Sequence, residues 1–211
     1  MRALIAARQP SHGIHGEEFG LENPTAPLRW VLDPIDGTRA FITGRPLFGT
    51  LIALLQNGTP ILGIIDQPIT RERWLGIAGQ KTTFHGPLGG TPGTRLCPIL
   101  ANAELSATSP ELLGEEGLKR FHHLAAATRR ITWGGDCYAY GLLALGHIDL
   151  IAERGLKIWD WAALVPIVEG AGGLITDWQG RPLHEQSPGD VLALGDPTLL
   201  PQVTARLAVP P

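Results

Sequence analysis

The chain has 211 residues and a formal net charge of −3; 44% of its residues are hydrophobic and 18% charged. That balance excludes a disordered chain, and the lack of any basic run argues against a nucleic-acid groove or a polybasic membrane patch. No apolar run approaches a membrane span, and the five apolar residues between Arg2 and Arg8 are too few for a signal-peptide core. Cys97 and Cys137, with no CxxC between them, read as reduced, packed thiols of a cytoplasmic protein.

Residues 2–8 read as helix, stopped by Pro10 and Gly13, with no Ser, Thr, Asp or Asn before it as a cap. They look like the last turns of a longer helix. Residues 29–33 are a short run fit for a strand buried on both faces. Residues 49–68 hold two apolar runs around Asn57-Gly58, a strong hairpin signal. Residues 71–79 continue as strand, 80–95 as loop or loose hairpin, and 95–105 as another strand. Ser109-Pro110-Glu111 starts a helix running to about Thr128. A strand over 129–133 follows, then a helix over 135–146 with Asp136 placed to cap it. A strand at 147–153 and a buried helix at 159–173 come next, then strands at 174–177 and 190–195. Asp196-Pro197 caps a last helix. Hairpins first and alternating elements later imply stacked α and β layers, with a lobe boundary that divides the chain into 1–105 and 106–211.

The stretch "WVLDPIDGT" (30–38) sends Asp33 out of the end of a buried strand and turns the chain at Pro34. Asp33 and Asp36 then converge. Gly37 permits a close backbone approach, and Thr38 opens a helix whose free N–H groups face the same pocket. Carboxylates beside unpaired amides suit a metal–phosphate site; an Asx-type turn is the simpler alternative. Two further acidic stretches join it: "GEE" (16–18), and "WDWAA" (159–163), where Asp160 sits between two tryptophans as a helix cap or a ligand.

In this order and spacing, "GEE", "WVLDPIDGT" and "WDWAA" resemble the inositol-monophosphatase-like family of metal-dependent phosphatases, over nearly the whole chain. The resemblance implies an α+β fold, a layered αβαβα sandwich, Mg²⁺ as cofactor with two or three ions, and a homodimer. It implies Glu17, Asp33, Asp36, Asp160 and the backbone carbonyl of Ile35 as metal ligands. Gly37 and Thr38 present amides to phosphate, and the Thr38 hydroxyl and Glu17 orient the attacking water. No histidine is needed as nucleophile, and the seven present form no ligand-spaced pair. Trp159 and Trp161 are expected in the core.

"DGTRAFITG", "IIDQPITRERWLG" and "WGGDCYAY" resemble the histidinol-phosphate phosphatase branch. That substrate carries an amine and an imidazole, and Asp136 and Glu153 are the expected substrate contacts; a capping role for Asp136 can coexist. Inositol or related sugar-phosphate hydrolysis is the alternative. Members of the family carry a longer N-terminal region, with paired helices and a mobile loop bearing an acid. This chain is expected to start inside the second of those helices, which leaves a catalytically impaired chain kept for binding or assembly as a third reading.

Overall fold

The computed structural model describes residues 1–208 and bears out the α+β sandwich. Helix α1 (Arg2–Arg8) leads into β1 (Gly13–Gly16), β2 (Gly20–Glu22), β3 (Leu28–Asp36) and the short α2 (Thr38–Ile42). Strands β4 (Gly49–Gln56), β5 (Thr59–Gln67), β6 (Glu72–Ile77) and β7 (Thr83–His85) then follow as an antiparallel meander. Together they form a seven-stranded sheet in the order β2-β1-β3-β4-β5-β6-β7. Asn57 and Gly58 turn β4 into β5 with φ of 50° and 82°, the left-handed pair a two-residue hairpin needs.

The rest of the chain comprises β8 (Glu104–Ala107), α3 (Gly114–Ala125), β9 (Arg130–Trp133), α4 (Asp136–Ala144), β10 (Leu150–Glu153), α5 (Ile158–Trp161), α6 (Leu164–Gly170), β11 (Leu174–Thr176), β12 (Val191–Leu194) and α7 (Leu200–Ala208). Its strands form a second sheet, β11-β12-β10-β8-β9, in which β8 runs parallel to both β9 and β10.

The α4–α6 layer fills the space between the sheets. Val31, Leu51 and Ile65 of the first sheet and Ile151 and Val191 of the second share one core with Leu143, Trp161 and Ile167. On the far face of the second sheet, Leu105, Leu150 and Leu192 pack with Phe121 of α3 and Val203 of α7. Strand neighbours alternate faces, so Leu32 points away from Val31's core; it faces a groove it shares with Met1, Arg2 and Ala3. Layers of helix, sheet, helix, sheet and helix result.

Two glycines set the spacing in the middle. Gly63 on β5 and Gly76 on β6 are cross-strand partners. A Cβ on Gly63 would lie 1.9 Å from the Ala163 carbonyl oxygen, and one on Gly76 2.4 Å from the Pro166 carbonyl carbon. The turn between α5 and α6 rests directly on sheet backbone.

Several local expectations are corrected. The strand expected over 95–105 is irregular until a 3-10 turn at Leu100–Asn102, and only β8 pairs. Leu96 and Ile99 point outward, 84% and 56% exposed, and Pro98 has no donor for a ladder. The single helix expected over 159–173 is two. Pro166 has no N–H and its ring crowds the carbonyl of Ala162, so the helix breaks at 162–163 and restarts. The helix expected after Ser109 begins with a 3-10 turn, Pro110–Leu113, and the Ser109 hydroxyl donates to Glu111 rather than capping. Asp136 caps nothing: it is itself the first residue of α4, at φ 44°. Asp196 does cap, accepting the Thr198 N–H at 2.9 Å.

Candidate active site

Three elements deliver the acids. Asp33 ends the unbroken run of β3–β4 pairs and is 2% exposed. The β3–β4 register then slips between Asp33 and Asp36, where Pro34 withholds a donor. The Asp33 carboxylate accepts the Ile35 N–H at 2.9 Å, and Gly37, at φ 81°, swings the chain into α2. Asp36 turns toward α4 and accepts the Cys137 N–H at 2.7 Å. Asp160, in the layer between the sheets, accepts the Lys157 N–H at 2.7 Å. One carboxylate oxygen from each of Asp33, Asp36 and Asp160 lies within 4.8 Å of the others.

These acids line an open cavity of about 280 Å³, together with Glu17, Ile35, Gly37, Thr38, Asp136 and Glu153. The fold therefore brings all nine expected site residues to one place. Glu17 follows β1, held by its N–H to the Leu32 carbonyl at 3.1 Å. Its side chain is exposed at the cavity mouth, outside the tight trio. The Ile35 carbonyl accepts the Thr38 hydroxyl at 3.3 Å. Trp161 is buried in the core as expected, while Trp159 packs edge-on to His15 with ring centroids 5.3 Å apart.

The trio is electrostatically crowded. Burial pushes Asp33 up to about 7, helped by the charges of Glu17 and Asp160 and opposed by the Ile35 amide. Burial raises Asp160 to about 6, against the Lys157 amide. Asp36 stands well above the usual carboxylate range through burial and the charges of Asp33 and Asp160, with Cys137 pulling the other way. Carboxylates so close lower their mutual repulsion by taking up protons or a cation. A donor set made of hard oxygens fits Mg²⁺ or a similar divalent ion.

The other two acids of the lining differ. Glu153 is 6% exposed and accepts the Thr108 N–H at 2.7 Å, the Thr108 hydroxyl, and the Tyr140 hydroxyl at 3.1 Å. Both its oxygens serve the protein's own chain. Burial raises its pKa, and these hydrogen bonds work against that. The Asp136 carboxylate makes no hydrogen bond among the described residues. Burial raises its pKa too, offset by the charges of Arg45 and Arg39. Thr108, Cys137 and Tyr140 went unnoticed as site residues in the sequence. Cys137 and Tyr140 lie within the same stretch as Asp136, residues 133–140; Thr108 has no local signal. Replacing Thr108 by Val removes one charge-assisted hydrogen bond and is expected to cost about 1.5–3 kcal/mol in urea unfolding at pH 8.

The inositol monophosphatase family model matches residues 1–207. The chain is 49% identical over 216 residues to the chloroplastic bifunctional phosphatase IMPL2 of Arabidopsis thaliana, a match covering 98% of this chain and 62% of the relative. It is 35% identical over 184 residues to the histidinol-phosphatase of Mycobacterium tuberculosis, covering 85% and 70%. An inositol monophosphatase structure from Zymomonas mobilis superposes with a TM-score of 0.92 at 51% identity, covering 99% of this chain and 79% of that one. The chain thus spans less than two thirds of the length of its plant relative. Fold, acidic trio and sequence agree, and the chain belongs to the inositol monophosphatase family.

Proposed function

We propose that the chain hydrolyses a phosphomonoester in a divalent-cation-dependent reaction, and that its substrate is L-histidinol phosphate. The observation that carries this is the convergence of Asp33, Asp36 and Asp160 on one cavity that is also lined by Asp136, whose carboxylate has no hydrogen bond among the described residues. The trio, with Glu17 and the Ile35 carbonyl, would hold two or three Mg²⁺ ions. When bound there, Mg²⁺ supplies positive charge to the phosphoryl oxygens and acidifies water. The remaining work falls to the chain. The amides of Gly37, which precedes α2, and of Thr38, its first residue, lack helical partners and face the phosphate. The Thr38 hydroxyl, anchored on the Ile35 carbonyl, and the Glu17 carboxylate at the mouth orient the attacking water. Asp136 attracts the cationic end of the alcohol, and Glu153, fixed by Thr108 and Tyr140, keeps its part of the lining in shape.

The likeness to a histidinol-phosphatase supports this substrate. The likeness to a solved inositol monophosphatase supports inositol phosphate as a second reading. Phosphate release with Mg²⁺ from L-histidinol phosphate and myo-inositol 1-phosphate, side by side, separates them. Turnover of histidinol phosphate, weakened in Asp136→Asn, is the expected result. Turnover of inositol phosphate alone moves the assignment to the second reading. No turnover of either by the folded protein removes the enzymatic reading in favour of binding or assembly. The reading extends, on the resemblance alone, to a homodimer in the cytoplasm. Light scattering tests the first part.

A further inference from the structure

The start of α4 meets the loop between β3 and α2 at unusually short range. A Cβ on Gly37 would lie 3.1 Å from the Asp136 Cβ, and one on Gly49 2.8 Å from the Cys137 Sγ. Gly49 is the ladder partner of Asp36. On the other side, Arg45 Nη2 reaches the Gly134 carbonyl at 3.4 Å, and a Cβ on Gly134 would lie 2.8 Å from that same atom. Two absent side chains, at Gly37 and Gly49, thus let Asp136 and Cys137 press onto the acidic loop and its ladder partner. Within that segment Asp136 holds a left-handed φ of 44° while already inside a helix. Such a backbone is disfavoured for any residue with a Cβ, least so for Asn and Asp. The next amide, that of Cys137, is the one that reaches the Asp36 carboxylate at 2.7 Å.

We infer that the left-handed turn at Asp136 is a positioning device for Asp36: it aims the Cys137 N–H at that carboxylate, so the second half of the chain sets the orientation of a cation-binding group in the first. This rests on the reading that the trio holds a divalent cation. Asp136 then has two separable duties. Its backbone orients Asp36, and its side chain faces the cavity. The Cys137 thiol also lies within reach of the Asp36 carboxylate, and Gly49 makes room for its sulfur.

Mg²⁺ titration calorimetry on the cation-free protein and its variants tests this. Asn and Gly tolerate φ near 44°, whereas a β-branched residue does not. Asp136→Asn and Asp136→Gly are expected to bind Mg²⁺ within about threefold of each other, and Asp136→Val about tenfold or more weakly, the range seen when a ligand's hydrogen-bond partner is lost. Asn is the control for the missing charge. Gly49→Ala, which pushes the sulfur against the Asp36 loop, is expected to weaken binding similarly. The Gly49→Ala/Cys137→Ala pair, which removes the sulfur that Gly49→Ala displaces, is expected to bind more tightly than Gly49→Ala alone. Equal affinity in Asp136→Val and Asp136→Asn overturns the inference; should Asp136→Val fail to fold, equal affinity in Gly49→Ala and the double variant overturns it instead. Wild type that takes up no Mg²⁺, with no change on Asp33→Asn, overturns the cation reading itself.

Discussion

Asp33→Asn is expected to cut Mg²⁺-dependent phosphate release by more than about 100-fold, beyond the loss typical of groups that merely support a ligand. In the same protein it is expected to raise the melting temperature measured without divalent cations at pH 8. Both effects come from one cause. Asp33 ionises at about 7 in the fold, raised from the usual 3.8 by burial and by the charges of Glu17 and Asp160. The folded state therefore holds this proton more tightly than the unfolded chain. Its contribution to stability is complete below about pH 4 and is lost as the pH rises through 7. Asp160, raised to about 6, adds a slope of the same sign over a narrower window. Cation-free wild type should thus melt lower at pH 8 than at pH 5, by several degrees if the loss is about 2 kcal/mol. Removing one charge flattens that slope. Mg²⁺ at pH 8 restores the wild type and leaves the variant unchanged. Thermal melts at the two pH values, with and without chelator, measure all of this. A variant no more stable than wild type at pH 8 would show that the acids are not held together against their own repulsion.

Gly63→Ala is expected to be severely destabilising for a change of one methyl group. The added Cβ would sit 1.9 Å from the Ala163 carbonyl oxygen, backbone against backbone, with no flexible side chain to give way. The middle helix layer would have to lift off β5. A cost of about 3–5 kcal/mol follows, a large part of an ordinary domain's stability. Gly93→Ala is the control, because a Cβ there meets nothing within 4 Å. The urea midpoint of the first should fall sharply and that of the second hardly move. Equal midpoints would mean that the helix layer shifts freely on the sheet.

The acidic trio was legible in the sequence because its geometry is local twice over. Asp33 and Asp36 are fixed by a strand end, a proline and a glycine, and Asp160 by its place beside a buried tryptophan. The Asn57-Gly58 hairpin was legible for the same reason. What escaped depended on distant partners. Strands β1 and β2 lack apolar alternation, and β1 exists by pairing parallel to β3. The 95–105 stretch is apolar in composition, yet only Cys97 of its first residues turns inward, bonding its N–H to Asp196 far along the chain. Asp136 looked like a cap because Asp before a helical run usually is one. Here Asp136 is already inside the helix and the amide that follows it goes to Asp36, a residue a hundred positions earlier, and no local rule could show that. The break in the 159–173 helix did have a signal, Pro166, outweighed by the apolar periodicity around it.

The two sheets differ in how the chain wires them, and that difference has a consequence for assembly. From β4 to β7 each strand pairs with the one just before it, so the meander needs only short loops to close. The second sheet needs helical crossovers to place β8 between β9 and β10. Low contact order favours the meander as the part that forms early. During synthesis it emerges carrying Asp33 and Asp36 but not Asp160, with the inner face of Val31, Leu51 and Ile65 still uncovered. The nascent protein passes through an interval in which an uncovered apolar face and two thirds of its acidic trio are displayed together, and the arrival of the α4–α6 layer covers the one as it completes the other.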